Sequence, residues 1–281
     1  MSAGSDVTTA AATVVAVCQF APTADRPRNL ARIAELTASA VGRGARVLVF
    51  PEYASFFVDP MDASLAANAE TLDGPFVQGL RALAVAHEVT IVAGVVERVD
   101  AEERSGASAR VHNTVVAVDG TGVRARYRKQ HLYDAFGQTE SDWIAPGETG
   151  AAETFEVDGL RFGLMTCYDL RFPEVARTLV DAGVDVIVAP AEWVRGPLKE
   201  HHWTTLLAAR AIENTVYLVA ADHPTPIGVG HSSVVDPQGV TVAGVGTGEG
   251  IAIAELDRAA VTRVREINPV LRLRRYDVIP R

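Results

Sequence analysis

Residues 160–174 read LRFGLMTCYDLRFPE. The first seven, Leu160–Thr166, have the short apolar character of a buried strand. The residues after Cys167 turn polar. Pro173 then stands where proline is favoured, at the start of a helix expected over Pro173–Ala182. The stretch is therefore strand, turn, helix, with Cys167 where the strand gives way to the turn. Carboxyl ends of strands are where α/β proteins assemble their sites, and backbone N–H groups are free where a helix begins.

The same alternation extends in both directions. Upstream, strands are expected at Thr13–Phe20, Arg46–Phe50 and Thr90–Val96, with helices at Asn29–Val41 and Gly74–His87 between them. Asn113–Val118 and Val123–Arg128 flank Asp119-Gly120-Thr121-Gly122, a hairpin signal. Thr154–Val157 pairs with Leu160–Thr166 across Asp158-Gly159. Downstream come strands at Val184–Ala189 and Val216–Ala220, a helix at His202–Asn214, and a hairpin of Ser233–Val235 with Val240–Ala243. A strand at Ile251–Glu255, a helix at Arg258–Ile267 and an irregular Arg-rich tail close the chain. Two similar halves of strands and outer helices predict two packed sheets covered by helices. The expected division is a flexible N-terminus at 1–12 and a single domain over 13–281, with 100–110 a charged surface loop inside the hairpin region.

The chain has 281 residues, of which 48% are hydrophobic and 22% charged, which suits a globular protein rather than a disordered one. The net charge of −9 argues against nucleic acid or an anionic membrane surface as partner. No apolar stretch approaches the ~20 residues of a membrane span, and the N-terminus lacks a signal peptide's basic and apolar regions. Two cysteines, Cys18 and Cys167, make no disulfide framework, so a cytoplasmic location is expected. Glycine-rich phosphate or dinucleotide motifs, zinc-ligand spacings and the serine-hydrolase elbow are missing. Neither a metal nor an organic cofactor is expected.

Three residues of complementary chemistry remain, each at the end of an apolar strand: Glu52 after RVLVFP, Lys129 after VRARYR and Cys167 after RFGLMT. A thiol is a nucleophile, a carboxylate can take its proton, and an ammonium can hold an oxyanion. Each also has a plain reading, as a capping carboxylate, a solvated hairpin charge and a turn cysteine. Cys18, inside TVVAVCQF, reads as core. All but two of the 26 basic residues are arginine, so Lys129 and Lys199 stand out against the chain's habit.

FPEY around Glu52, YRKQHL around Lys129 and CYDLRFPE around Cys167 resemble, in this order, the nitrilase superfamily of carbon–nitrogen hydrolases. The resemblance runs from about Val14 to about Val278. It takes in GQTES with Glu140, PGE at Pro146–Glu148, ARAIENTVYLVAAD at Ala209–Asp222 and GHSSVVDPQG at Gly230–Gly239. It implies a four-layer α-β-β-α sandwich, commonly paired into a homodimer or higher oligomer. It also implies Cys167 as nucleophile, Glu52 as general base and Lys129 as oxyanion holder. By the same resemblance Glu140 matches the family's additional active-site glutamate, and the Tyr168 backbone N–H would complete the oxyanion site.

CYDLRFPE is closer to the Nit-type amidases than to true nitrilases or amino-acid carbamoylases. The implied reaction is hydrolysis of a small linear carboxamide to carboxylate and ammonia through a thioester. An N-carbamoyl amide hydrolase is the alternative within the class. A non-catalytic binding protein on the same fold, or transfer of the acyl group to an acceptor other than water, are the alternatives outside it. PAEWVRGPLKEHHW, Pro190–Trp203, departs from the omega-amidase pattern, with Trp193 in place of a phenylalanine, so Trp193 is a candidate substrate contact. Asp169, Arg171 and Glu174 are expected to form a structural ion-pair network at the turn. Lys199, His201 and His202 are expected on a solvated loop, and the arginines of the tail at subunit contacts.

Overall fold

The computed structural model describes residues 12–99 and 110–281. The expected flexible N-terminus, but for Ala12, and the expected surface loop, but for Arg110, lie outside the described residues. The strands are β1 (Thr13–Gln19), β2 (Val47–Val49), β3 (Thr90–Arg98), β4 (Val111–Asp119), β5 (Gly122–Arg128), β6 (Thr154–Val157), β7 (Leu160–Leu164), β8 (Val186–Pro190), β9 (Tyr217–Ala221), β10 (Ser233–Val235), β11 (Thr241–Gly244) and β12 (Gly250–Leu256). The helices are α1 (Arg26–Val41), α2 (Ser64–Ala67), α3 (Pro75–His87), α4 (Pro173–Asp181), α5 (Lys199–Asn214) and α6 (Arg258–Ile267). None of them is long and apolar enough to cross a membrane.

The strands form two six-stranded sheets, ordered β12-β1-β2-β3-β4-β5 and β11-β10-β9-β8-β7-β6. In the first, β1, β2 and β3 run parallel and β4 and β5 follow antiparallel. The second repeats this with β7, β8 and β9 parallel and β10 and β11 antiparallel. Side chains alternate across a strand, and the sequence uses both faces. Val15, Val17, Val49 and Val92 meet Phe162, Leu164, Val186 and Val219 between the sheets. Ala16, Cys18, Leu48 and Ile91 face Ile33 and Leu36 of α1 and Leu80 of α3. On the far side Ile187 and Leu218 face Val175 and Leu179 of α4 and Leu207 of α5. The result is the expected four layers, helix, sheet, sheet, helix.

Three details depart from the sequence reading. Helix α1 begins three residues early, because Asp25 caps it by accepting from the Arg28 N–H at 3.0 Å and Pro27 fits its first turn. Helix α5 begins at Lys199 rather than His202, after Leu198 in a left-handed conformation with no side-chain cap, so no capping residue marks it. The last strand, β12, returns to the first sheet and lies antiparallel to β1, with Thr13 opposite Leu256. A simple repeat of two halves does not foretell that crossing.

Candidate active site

Each functional side chain stands just beyond a strand. Glu52 follows β2 across Phe50 and Pro51, Lys129 is the residue after β5, and Cys167 lies three residues past β7. The Glu52 turn can settle onto β3 because Gly94 lies beneath it. A Cβ at Gly94 would stand 2.4 Å from the Tyr53 nitrogen and 2.6 Å from the Glu52 Cα, which no side chain survives.

The three reach one cavity of about 370 Å³, which Glu140 and Glu192 also line. Lys129 Nζ donates to Glu52 Oε1 at 2.9 Å and lies 2.9 Å from Glu140 Oε2. Asn113, on β4, donates to Glu52 Oε1 at 2.6 Å and to Glu140 Oε1 at 3.2 Å. The Tyr53 hydroxyl and the Tyr133 backbone N–H, each at 2.6 Å, complete the bonds to Glu140. Glu52, Lys129 and Glu140 are all buried. One ammonium thus sits between two carboxylates, which offsets what its burial would cost alone.

The electrostatics divide the two acids. Burial pushes the Glu52 carboxyl above the usual range despite Lys129, and the Glu140 charge adds to the push. Burial also opposes ionisation of Glu140, but Lys129 and the Tyr53 hydroxyl outweigh it and hold that carboxyl low. Glu140 thus stays charged while Glu52 is poised to exchange a proton. Burial would lower Lys129, but the two carboxylates hold its ammonium firmly charged.

Cys167 opens a short 3-10 turn, Cys167–Arg171, at φ +44°, a left-handed conformation costly for a residue with a Cβ. Its Sγ donates to the Glu192 carbonyl at 3.3 Å, while the Glu192 backbone N–H donates to Glu52 Oε2 at 2.6 Å. One peptide segment therefore ties Cys167 to Glu52. Burial, then the Glu52 charge, push the thiol well above its ordinary range, with Lys129 pulling against them. The resting thiol keeps its proton. Tyr168 is the next residue of the turn.

Two expectations about the turn need correction. Asp169 forms no ion pair with Arg171. It caps the turn in a box with Thr166 and accepts from the Tyr127 hydroxyl at 2.8 Å, from the His131 N–H at 3.1 Å and from the His131 ring at 2.8 Å. Glu174 is exposed on α4. Arg171 turns the other way and holds its guanidinium 4.8 Å from the Trp193 ring centre, donating to His202 Nδ1 at 3.3 Å. Buried, turn-capping Asp169 already has its hydrogen bonds from Thr166, Tyr127 and His131, so Arg171 is not needed to satisfy it.

Lys199 is not on a solvated loop. It is buried at the first position of α5, and its ammonium donates to the Tyr133 hydroxyl at 2.6 Å. The Tyr133 and Phe136 ring centres lie 4.5 and 4.6 Å from it. Burial and the neighbouring Arg171 lower it. His201 and His202, on the same helix, stay exposed and half-buried. Trp193 is buried, donates to the Lys199 carbonyl at 2.9 Å and packs on Trp203. It does not line the main cavity; it walls a narrow recess behind Cys167 with Tyr133, Tyr168, Arg171 and Lys199.

The structure adds residues that sequence alone did not point to: Tyr53 and Asn113 around the acids, Tyr133 on the wall and Glu192 between Glu52 and Cys167. Tyr53 lies inside FPEY and was within reach. Asn113 stands in the His-Asn-Thr stretch of VHNTVVAVD and is fully buried, as are few amides.

Comparison with known proteins agrees with this geometry. The carbon–nitrogen hydrolase family matches residues 14–266. The deaminated glutathione amidase of Escherichia coli O157:H7 is 40% identical over 264 residues, covering 94% of this chain and 97% of that protein. The human deaminated glutathione amidase is 34% identical over 280 residues, covering 94% and 83%. Among solved structures, Saccharomyces cerevisiae Nit3, of branch 10 of the nitrilase superfamily, superposes with a TM-score of 0.82 at 27% identity, over 95% of this chain and 98% of that one. An amidase from Nesterenkonia sp. AN1, a double mutant in complex with acrylamide, superposes with a TM-score of 0.78 at 25% identity, over 94% of each chain. With the expected sandwich present and the Glu52, Lys129 and Cys167 ends gathered at one cavity, this chain is an enzyme of the carbon–nitrogen hydrolase family.

Proposed function

We propose that the protein hydrolyses a small linear carboxamide carrying a carboxylate, releasing ammonia through a thioester on Cys167. The observation that carries this reading is the buried set of Glu52, Lys129, Glu140 and Cys167 around one cavity. The Cys167 sulfur attacks the amide carbonyl while Glu52 takes the thiol proton. The carbonyl oxygen becomes an oxyanion against the Lys129 ammonium and the Tyr168 N–H. Glu52 returns the proton to the nitrogen, the C–N bond breaks and ammonia leaves. Glu52 then takes a proton from water, whose oxygen attacks the thioester, and protonation of the sulfur frees the acid. Glu140, held charged, keeps Lys129 charged and in place.

The carboxylate is inferred from Arg171 and Lys199, which flank a recess of about 10 Å³ beside Cys167, room for one water, so that the anionic group would sit at its mouth. Among the described residues neither Arg171 nor Lys199 has a carboxylate within 4.0 Å, and the buried Arg171 Nε has no hydrogen-bond partner. Two cations beside a nucleophile, lined by aromatic rings, suit an anionic substrate group. We further propose a homodimer in the cytoplasm, the tail's exposed Leu273, Tyr276 and Ile279 being apolar surface for a second copy to cover.

The test is an ammonia-release screen over monoamides of dicarboxylic acids, neutral amides of equal length, N-carbamoyl amino acids and nitriles, with and without hydroxylamine. The expected result is turnover of the monoamides, weaker turnover of the neutral amides, and a hydroxamate when hydroxylamine is present. Hydrolysis that never diverts to hydroxamate overturns the thioester. A preference for N-carbamoyl compounds moves the enzyme to the alternative substrate class.

A further inference from the structure

Strand β9 ends at Ala221, and the next two residues, Asp222 and His223, are buried without lining the cavity. Both hold the segments around Glu52. Asp222 Oδ1 accepts from the Trp193 N–H at 2.7 Å and so anchors the residue after Glu192, whose own N–H donates to Glu52 Oε2 at 2.6 Å. The His223 ring places Nε2 2.8 Å from the Glu52 carbonyl oxygen. A carbonyl only accepts, so Nε2 carries the proton. Nδ1 is then an acceptor, and it is buried with no hydrogen-bond partner. Burial lowers the ionisation of the ring to about 4, so at neutral pH it stays uncharged and in this one tautomer. The ring packs edge-on against Phe57, which lines the cavity, with ring centres 4.8 Å apart.

An unpaired ring nitrogen in the core is a cost, and an apolar side chain there would avoid it. What an apolar side chain lacks is the Nε2–H. The peptide that this N–H holds leads into Tyr53, at φ +55°, a left-handed backbone costly for a residue with a Cβ. That strained turn directs two side chains of the site: the Glu52 carboxyl, which meets Lys129 and Asn113, and the Tyr53 hydroxyl, which donates to Glu140 at 2.6 Å. We propose that His223 is a positioning residue for Glu52, its Nε2–H pinning the left-handed Glu52–Tyr53 turn so that the carboxyl keeps its place between the Lys129 ammonium and the Glu192 N–H. This rests on the reading of Glu52 as the group that takes the Cys167 proton, and deepens it. His223 touches no substrate and acts through Glu52 alone. Without its bond the turn can relax, and a shift of the base by about 1 Å costs turnover rather than substrate binding.

The experiment compares His223→Phe, which keeps a ring against Phe57 and removes the donor, with His223→Gln, whose side-chain amide can reach the same carbonyl. Two quantities are read: kcat and KM for ammonia release from the monoamide of pentanedioic acid, and the rate at which iodoacetamide alkylates Cys167 with no substrate present. His223→Phe is expected to lose at least about tenfold in kcat with KM held within about twofold, and to slow the alkylation. His223→Gln is expected to recover most of both. Unchanged kcat and alkylation in folded His223→Phe overturn the proposal, and so does a His223→Gln no better than His223→Phe. Should His223→Phe not fold, His223→Asn, too short to reach the carbonyl, takes its place. Failure of both to fold overturns the proposal as well, by making the bond one of stability alone. A wild type that releases ammonia from no amide sinks the amidase reading, and the alkylation rates, which need no substrate, still decide on His223.

Discussion

Cys18 and Cys167 are both buried free thiols near the end of an apolar run, and burial pushes both well above the ordinary thiol range. Their surroundings differ. Cys18 lies in β1 opposite Ile251, in extended backbone, packed among Ala16, Leu48 and the α1 face. Burial is the whole of its shift. Cys167 stands at φ +44°, donates to a carbonyl, and shares a cavity with a carboxylate and an ammonium. Depth alone makes a thiol inert; on the proposed mechanism, a carboxylate and an ammonium in the same cavity are what let Cys167 act as a nucleophile.

The sharpest break of this comparison is to remove each sulfur. Cys167→Ala is expected to abolish turnover with the fold intact by circular dichroism, while Cys18→Ala keeps kcat. Iodoacetamide should label Cys167 and leave Cys18 unmodified in the native protein, as peptide mass spectrometry reads. A folded but inactive Cys18→Ala would reverse the assignment.

The next largest effect tests the cation. Lys129→Arg keeps the charge but offers a wide planar fork where a compact ammonium fits between two carboxylates. The expected loss is about 10²–10³ in kcat/KM. Lys199→Arg is a separate test, since Lys199 walls the recess beside Cys167. It should act on KM for anionic amides more than on kcat. Wild-type activity in folded Lys129→Arg would remove Lys129 from the mechanism.

The pH profile tests the base. Glu52 must be deprotonated to accept the thiol proton, so kcat/KM should fall as pH drops through its ionisation. Burial raises that ionisation, so the acid limb should lie above the ordinary glutamate range. Asn113 stabilises the charged form by its hydrogen bond, and Asn113→Ala should move the limb to still higher pH. A limb unmoved by that change would separate the titrating group from Glu52. The smallest effect is on Cys18. Cys18→Ala should cost about 1–2 kcal/mol by denaturant titration, a packing loss with no kinetic trace.

The strands and their catalytic ends were legible because β-branched runs, Asp-Gly hairpins and Pro-initiated helices are local signals. Motifs singled out Glu52, Lys129, Cys167 and Glu140, which the fold brings to one cavity. Glu192, Asn113 and the burial of Lys199 were not. Glu192 meets Glu52 across 140 positions of chain, and that meeting exists only once two sheets have closed on each other. Lys199 follows Gly196-Pro197-Leu198, which reads as open loop, and its ammonium meets the Tyr133, Phe136 and Trp193 rings only in the folded chain. Pattern gives a residue's face of its own element; it does not give what a second layer brings against that face.

The division of the site between the two sheets has a mechanical consequence. Glu52 and Lys129 hang from the first sheet and Cys167 from the second, so the distance across which the proton moves is a spacing between layers, set by the side chains that fill it. Ile91 and Val92 are neighbours on β3 that face opposite ways, Ile91 toward the helices and Val92 into the seam. Shortening either costs stability. Thinning the seam should also detune the reaction, so that Val92→Ala loses kcat while Ile91→Ala, no less destabilised, keeps it. The inner core then acts as a shim, whose thickness the catalytic rate reports from residues far from the substrate.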